Sequence, residues 1–263
     1  MRVVVKKDAQ TASLTACDIF EAFIRRNPAA VLGLATGSTP VMLYQEMIRR
    51  YRTGAMDFSK ITTFNLDEYV GLSETDPNSY RVFMNEQLFN HLNVARESTH
   101  VPLGIASDLE HVCAAYERKI QEAGGIDIQL LGIGRNGHIG FNEPGSSFSS
   151  RTRVKALTRQ TIQDNARFFG GVDRVPKSAV TMGVKTILDA RHIVLIAVGD
   201  SKADIVREFI EGPLTSMVPA SILQTHSAVT VILDEAAASK LSNRQYYDDS
   251  EQLVDSLASN LKD

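Results

Sequence analysis

The segment GIGRNGHIGFNEPG, residues 132–145, places His138 and Glu143 among glycines, directly after an apolar run that predicts a buried strand. Histidine exchanges protons near neutral pH, and a nearby carboxylate can orient its ring. A histidine bonded to local backbone beside a surface glutamate would explain an isolated pair equally well. The position at the end of a strand, where glycines let the backbone approach a ligand, favours a catalytic pair. One His, one Glu and one Asn make a poor transition-metal site, so no metal is expected.

The spacing of Gly132, Gly134 and Gly137 also matches a loop that holds a dinucleotide pyrophosphate. That loop requires a helix that begins at the third glycine and an acidic residue about 20 positions further on. Here the chain continues with more glycines and a proline, and neither Asp nor Glu occurs between Gly145 and Gln163. We therefore expect no nicotinamide cofactor.

Two adjacent carboxylates, Asp67 and Glu68, follow another apolar run in the segment NLDEYVGL. Neighbouring side chains of an extended segment point to opposite sides, so only one of the two should face a ligand. A turn-forming Asp, with Gly71 closing the turn, is the alternative. Because other predicted strand ends carry complementary groups, we interpret Asp67 as a candidate proton-transfer residue.

An anion site is predicted in the segment ATGSTP, where Gly37, Ser38 and Thr39 lie between a predicted strand and a predicted helix. Free amides and the helix dipole at such a junction favour phosphate, and Lys202 in GDSKAD could add a cation. An ordinary N-capped turn is the alternative for ATGSTP. The basic segment 149–160, SSRTRVKALTRQ, could be either a solvated strand edge or a second anion site.

The elements that must position these residues are short apolar runs that alternate with amphipathic segments. Strands are predicted over residues 2–5, 30–35, 61–66, 126–134, 192–199 and 228–234. Helices are predicted from Asp8 to about Arg26, over the segment after Pro40, and over residues 108–123, 201–211 and 235–260. This alternation is typical of an α/β fold, here a Rossmann-like, mostly parallel, doubly wound sheet with helices on both faces. The polar segments all follow strands, where such sheets bind ligands. No domain boundary is visible, so residues 1–263 are predicted to form a single domain.

The composition is that of an ordinary globular protein, with 43% hydrophobic and 22% charged residues and a net charge of −3. This charge gives no reason to expect nucleic acid as a partner. Two cysteines suggest neither a disulfide framework nor a cysteine metal site, and no apolar run reaches the roughly 20 residues of a membrane span. We expect a cytoplasmic protein that does not bind membranes. Together the motifs indicate proton transfer on a small sugar phosphate.

The segments LGLATGSTP, FNLDEYVGL, GIGRNGHIGFNEPGSSFSSRTRVKALT, NARFF, VPKSAVTMGVKTILDA and GDSKA closely resemble the glucosamine-6-phosphate deaminase family. The resemblance covers residues 1 to about 235. It implies the fold shared by these deaminases, ribose-phosphate isomerases and CoA transferases. It also implies a cofactor-independent aldose–ketose isomerisation with loss of ammonia, from D-glucosamine 6-phosphate and water to D-fructose 6-phosphate. Galactosamine 6-phosphate remains an alternative substrate.

The resemblance also assigns roles to individual residues. Asp67 matches the general base that moves a proton between C2 and C1, and His138 with its partner Glu143 matches the group that assists ring opening. The substrate-binding positions are matched by Gly37, Ser38, Thr39, Arg167 and Lys202. Many members carry Asp where this chain has Asn136, which can accept a hydrogen bond from imidazole but brings no charge. The strength of the proton relay and the pH profile therefore stay open.

Several members of the family are hexamers that are activated by N-acetylglucosamine 6-phosphate. Ser146, Arg153 and Lys155 match the positions that hold the activator's phosphate. We therefore expect a homo-oligomer, potentially a hexamer, with an activator site. Two other functions stay open: a 6-phosphogluconolactonase-like hydrolase, and a non-catalytic sugar-phosphate sensor. A lactonase has no use for a carboxylate placed along C1–C2, and a sensor would be expected to lack Asp67 or His138.

Overall fold

A parallel sheet forms the centre of the protein, which a computed structural model describes over residues 1–260, without the side chains of residues 255 and 258–260. In chain order the strands are β1 (Arg2–Lys6), β2 (Val31–Leu34), β3 (Thr62–Asn65), β4 (Asp67–Tyr69), β5 (Thr99–His100), β6 (Ile128–Leu131), β7 (Arg153–Ala156), β8 (Ser178–Thr181), β9 (His192–Ala197) and β10 (Val229–Asp234). Seven of them pair in the order β1-β10-β9-β6-β2-β3-β5, all in parallel. All six predicted strands lie in this sheet, which confirms the predicted Rossmann-like α/β fold.

A second sheet of three antiparallel strands, in the order β4-β8-β7, was not predicted. Its strands are three or four residues long, and β7 carries alternating half-buried and exposed side chains. Such strands lack the apolar run by which the central strands were recognised. β7 lies at the edge of the small sheet, as one interpretation of the basic segment predicted, but Arg153 and Lys155 are half-buried there and not fully solvated. The second interpretation, an anion site, stays a prediction.

Nine helices are found among the described residues: α1 (Ala9–Arg26), α2 (Val41–Arg52), α3 (Tyr80–Gln87), α4 (Leu109–Glu122), α5 (Arg159–Phe169), α6 (Val184–Leu188), α7 (Ala203–Glu211), α8 (Glu235–Ala238) and α9 (Arg244–Asn260). Asp8 caps α1 as predicted, since its carboxylate accepts a 2.8 Å hydrogen bond from the Thr11 amide. Pro40 directly precedes α2.

The single helix predicted over residues 235–260 is wrong, because the chain leaves helical conformation between α8 and α9. There the carboxylate of Glu211, at the end of α7, accepts hydrogen bonds from the amides of Ser242 and Asn243 at 2.9 and 2.8 Å. An external carboxylate thus satisfies amide groups at the start of α9, so the helix begins anew at Arg244.

The main core lies between the central sheet and its helices. Its fully buried side chains include Phe20, Leu32, Leu43, Met47, Phe64, Ile128, Leu195, Phe209 and Val231. A smaller cluster, formed by Tyr69, Phe141, Leu157, Phe169, Val175 and Ala179, packs around the small sheet. Cys17 and Cys113 are buried and free. In the part of the chain that the structure describes, every helix is too short or too polar to cross a membrane.

Candidate active site

A cavity of about 560 Å³ opens where the predicted ligand edge of the central sheet meets the small sheet and α5. The four polar segments that follow β2, β3, β6 and β9 all contribute to it, as the sequence predicted. Its lining includes Thr36, Gly37, Ser38, Thr39, Asp67, Tyr80, Gly134, Arg135, His138, Phe141, Asp164, Arg167, Phe168 and Lys202. A volume of this size lies in the ordinary range for small-molecule sites.

One end of the cavity gathers the residues of the predicted anion site. Gly37 has a φ of 94°, a left-handed conformation that glycine adopts without strain, and it leads the chain from β2 towards the first turn of α2. Arg167 of α5 reaches across, with its Nη2 atom 3.5 Å from the Ser38 hydroxyl. Lys202 is fixed by a 2.7 Å hydrogen bond from its Nζ to the Ile133 carbonyl. The structure therefore brings the predicted substrate-binding residues to one place.

Asp67 lies away from these cations, on β4, and is 5% exposed. No residue of the described chain donates a hydrogen bond to its carboxylate, which faces the cavity. Burial, and then the neighbouring charge of Glu68, raise the pKa of Asp67 well above its ordinary value. A carboxylate with a raised pKa is a stronger base than an ordinary aspartate, as proton abstraction requires.

Glu68 points to the opposite side, as the extended backbone predicted. Its carboxylate accepts hydrogen bonds from the amides of Tyr69, Tyr80 and Arg81, at 2.9, 3.0 and 3.1 Å. Burial raises the pKa of Glu68 to about 7, although these amides act in the opposite direction. Glu68 thereby fastens the start of α3 to β4, next to the candidate base.

His138, Asn136 and Glu143 form a hydrogen-bonded relay in the loop after β6. The imidazole Nδ1 lies 2.7 Å from the Asn136 Oδ1, and the Asn136 Nδ2 donates to Glu143 Oε2 at 2.7 Å. Glu143 Oε2 is 3.6 Å from the same imidazole nitrogen. The relay leaves the Nε2 atom of His138 as the nitrogen that is free to act on a ligand.

The relay fixes which nitrogen of His138 carries the proton. Because the amide of Asn136 must direct its nitrogen to the carboxylate of Glu143, its oxygen faces the imidazole and accepts from Nδ1–H. Burial works to raise the pKa of Glu143, but its contacts with His138, Thr161 and Thr158 outweigh burial and lower that pKa to about 2. Glu143 is therefore a permanent negative charge behind the relay.

Gly134 makes the position of the imidazole possible. A Cβ atom at residue 134 would lie 2.2 Å from the Cε1 atom of His138. The ring of His138 also packs near Phe141, with the ring centres 6.2 Å apart. The glycines of this loop therefore serve close packing around a histidine, and the chain between β6 and β7 contains no helix of the kind that a dinucleotide loop would begin.

Two of the three predicted activator-site residues contact the loop that holds the relay. The Ser146 hydroxyl donates to the carbonyl of Glu143 at 2.6 Å, and the Arg153 Nη1 donates to the Asn142 Oδ1 at 2.8 Å. Lys155 is two residues from Arg153 on β7, so both side chains share one face of the small sheet. No residue of this group lines the cavity.

Several residues that line the cavity were not predicted from the sequence. Tyr80, Phe141 and Phe168 form apolar parts of the wall, and Arg135 and Asp164 lie at the cation-rich end. Arg135 and Phe168 are neighbours of predicted site residues, so motif membership was an available signal for them. Nothing in the local pattern around Tyr80 indicated the cavity. Among residues 1–260, no three His, Cys, Asp or Glu side chains form a group that could hold a metal ion.

Comparison with known proteins agrees with this geometry. Residues 6–232 match the family model described as glucosamine-6-phosphate isomerases/6-phosphogluconolactonase. The chain is 55% identical to the glucosamine-6-phosphate deaminase of Cellvibrio japonicus (strain Ueda107), over 94% of each chain.

Solved structures show two degrees of similarity. A structure described as a monomeric glucosamine-6-phosphate deaminase superposes with a TM-score of 0.90 at 50% identity, covering 91% of this chain and 100% of that one. The 6-phosphogluconolactonase of Trypanosoma brucei gives a TM-score of 0.74 at 19% identity, over 92% of this chain and 98% of that one. The second similarity concerns the fold alone.

Proposed function

The chain belongs to the family of glucosamine-6-phosphate isomerases and 6-phosphogluconolactonases, and from this membership we propose that it is a glucosamine-6-phosphate deaminase. It converts D-glucosamine 6-phosphate and water to D-fructose 6-phosphate and ammonia, a step of amino-sugar catabolism. The observation that carries this proposal is the buried carboxylate of Asp67, which faces the same cavity as the cations Arg167 and Lys202. A phosphate held by those cations leaves the sugar carbons beside the base.

Ring opening is the first chemical step, and His138 is the residue placed to assist it. With Nδ1–H bonded to Asn136, the free Nε2 takes the proton of the anomeric hydroxyl and returns it to the ring oxygen as the C1–O5 bond breaks. The imidazolium that forms in between is stabilised by the Glu143 carboxylate, 3.6 Å from Nδ1. The product is the open-chain aldehyde.

Proton transfer between C2 and C1 follows, with Asp67 as the base. Asp67 removes the proton from C2 while a proton of the substrate's C2 ammonium group passes to O1, which gives a neutral enolamine. Asp67 then delivers its proton to C1, which leaves an iminium group at C2. Water adds to this iminium and ammonia leaves, so that the C2 ketone of fructose 6-phosphate forms. The ammonium group of the arriving substrate supplies the positive charge that the buried Asp67 otherwise lacks, and it favours the ionised base.

The two alternative functions account for fewer of these features. A lactonase requires a base that activates water. The lactonase of Trypanosoma brucei is similar to the chain in fold at 19% identity, against 55% for the deaminase of Cellvibrio japonicus. A non-catalytic sensor requires residues that bind the phosphate but no residues that transfer protons. Here Asp67 and His138 both line the cavity, and Glu143 is joined to His138 through Asn136.

We also propose that Ser146, Arg153 and Lys155 bind the phosphate of N-acetylglucosamine 6-phosphate as an activator in a homo-oligomer, as large as a hexamer. Support comes from the hydrogen bonds of Ser146 and Arg153 to the loop of the relay, since an anion that draws on both groups would act on that loop. A relative at 50% identity is described as monomeric, so assembly needs its own measurement. A cytoplasmic location fits a phosphorylated substrate.

Ammonia release from glucosamine 6-phosphate tests the main proposal. The Asp67→Asn variant should lose at least about 10³-fold in kcat, because an amide cannot accept the C2 proton. The matched control is Asp249→Asn, which removes one exposed carboxylate from α9 and should leave the rate unchanged. A folded wild-type protein that binds sugar phosphates but releases no ammonia would refute the proposal.

The same assay with N-acetylglucosamine 6-phosphate tests the activator site. KM for glucosamine 6-phosphate should fall when the activator is added, and Lys155→Gln should weaken this response without changing the basal rate. Sedimentation velocity should show an assembly larger than a monomer. An unresponsive, monomeric enzyme would refute the activator and oligomer proposals and leave the deaminase proposal intact.

A further inference from the structure

Two charged residues at the anion end of the cavity have no role in the reaction as described. Arg135 lies in the loop after β6 and Asp164 lies on α5, and both side chains line the cavity. Their closest approach is 3.5 Å, between Arg135 Nη1 and Asp164 Oδ1. The same Asp164 oxygen accepts a 2.8 Å hydrogen bond from Gln160. The pair thus connects the loop after β6 to α5 beside the cavity.

This end of the cavity therefore holds three cations and one carboxylate. Burial lowers the pKa of Lys202; Asp164 opposes this shift, while Arg135 and Arg167 add to it. The four groups are thus close enough to influence one another. Lys202 and Arg167 are anchored on Ile133 and Ser38, whereas the ion partner of Arg135 is another charged side chain of the cavity.

We propose that Arg135 is a third phosphate-binding cation, and that Asp164 competes with the phosphate for it. In the free protein Asp164 holds the guanidinium, and the phosphate of the substrate replaces Asp164 when it binds. This inference rests on the proposed function, because it concerns how the same cavity recognises a phosphate monoester.

The geometry of the pair favours such an exchange. At 3.5 Å, with the side chains of Arg135 and Asp164 56% and 33% exposed, the ion pair is long and well solvated, so it stabilises the protein little. A phosphate dianion offers a guanidinium two oxygens in a bidentate arrangement and a larger charge than a carboxylate. The guanidinium of Arg135 therefore interacts more favourably with a phosphate than with the carboxylate of Asp164.

Competition predicts that the two residues have opposite effects on affinity. Arg135→Gln removes a cation and weakens phosphate binding. Asp164→Asn keeps the size of the side chain, removes the competing charge and strengthens phosphate binding. A carboxylate that only held Arg135 in the right position would have the reverse effect when changed, because its loss would weaken binding.

Binding of inorganic phosphate, measured by titration calorimetry at low ionic strength, tests this inference without turnover. We expect Kd to rise about tenfold in Arg135→Gln and to fall about threefold in Asp164→Asn, in line with the strength of charge-assisted contacts. KM for glucosamine 6-phosphate should move in the same directions, with kcat changing less than KM.

Matched controls lie near the start of β6, at the end of the strand opposite to the loop that carries Arg135. Arg191 and Asp127 form a pair of similar exposure, 57% and 24%, with Asp127 directly before β6. Arg191→Gln and Asp127→Asn make the same changes in net charge outside the cavity, so phosphate binding should change less than about twofold, as expected for screened charges.

Two results would overturn the inference: no difference between the cavity variants and the controls, or weaker phosphate binding in Asp164→Asn. Failure of the proposed function would look different. In that case the wild-type protein would release no ammonia, while the opposite responses of Arg135→Gln and Asp164→Asn to inorganic phosphate would persist.

Discussion

The side chain of Asn136 occupies the middle of the relay, where it separates the imidazole of His138 from the carboxylate of Glu143. Its oxygen faces one partner and its nitrogen the other, both at 2.7 Å. An aspartate at this position would place a second carboxylate 2.7 Å from Glu143 Oε2. In this chain the negative charge of the relay therefore lies on Glu143. Asn136 orients the imidazole of His138 through its hydrogen bonds and adds no charge.

Asn136→Asp should move the acid limb of the pH profile to higher pH. Two carboxylates this close cannot both ionise without cost, so the pKa of Glu143, about 2 in this chain, should rise and the relay should lose a negative charge as the pH falls. The measurement is kcat/KM from pH 5 to 9, with Asn136→Ala as the control that breaks the relay without adding charge. Coinciding profiles of the wild type and the aspartate variant would show that the relay tolerates a second carboxylate.

At this scale the sequence predicted which motif residues come together around one cavity. His138, Glu143, Asp67, Lys202 and the residues of the ATGSTP segment follow strands whose apolar runs were recognised, so their convergence followed from the fold. The pairing of Arg135 with Asp164 could not be predicted. It depends on how α5 lies across the cavity, and no local pattern encodes that contact.

Among the elements, β4 depends on a close contact with the loop after β5. A Cβ atom at Gly104 would lie 2.2 Å from the Tyr69 carbonyl oxygen and 2.7 Å from that of Leu72. The Gly104 carbonyl in turn accepts a hydrogen bond from the Gly71 amide at 2.9 Å. The loop therefore presses on the end of the strand that carries the candidate base.

Gly104→Ala should destabilise the protein by about 2 kcal/mol or more, because the added methyl group meets backbone atoms that cannot move by themselves. Activity at low temperature should also fall, since β4 must shift. Urea unfolding and the ammonia assay measure both effects. Ile105→Ala is the neighbouring control: that side chain is 57% exposed, so its truncation should cost little. Equal free energies of unfolding for the two variants would show that the loop accommodates the added methyl group without loss of stability.

The small sheet shows what sequence patterns miss at the scale of elements. Strands of the central sheet are buried on both faces and therefore read as apolar runs, whereas β4 is the acidic segment DEY and β7 is a basic edge. These strands exist because tertiary pairing with β8 supplies their hydrogen bonds. Their residues include the candidate base Asp67 and the predicted activator-site residues Arg153 and Lys155, which motifs indicated although the strands themselves were not recognised.

For the whole molecule, the buried base should reduce stability in return for activity. The folded-state pKa of Asp67 is well above its ordinary value of 3.8, so the folded protein binds this proton more tightly than the unfolded chain. At pH values well below 3.8 the group is protonated in both states and has no cost. As pH rises, the unfolded chain ionises first, and stability falls until the pH passes the folded pKa.

Asp67→Asn should therefore unfold at a higher temperature than the wild type at pH 8, by about 5 °C for a chain of this size, although it has lost its activity. The difference in Tm should shrink as the pH is lowered to 5, because ionisation of Asp67 then stabilises the unfolded chain less. Scanning calorimetry at both pH values measures this, with Asp249→Asn as the exposed control that should follow the wild type. A variant no more stable than the wild type at pH 8 would mean that the fold accommodates the ionised base without cost, and that catalysis here requires no loss of stability.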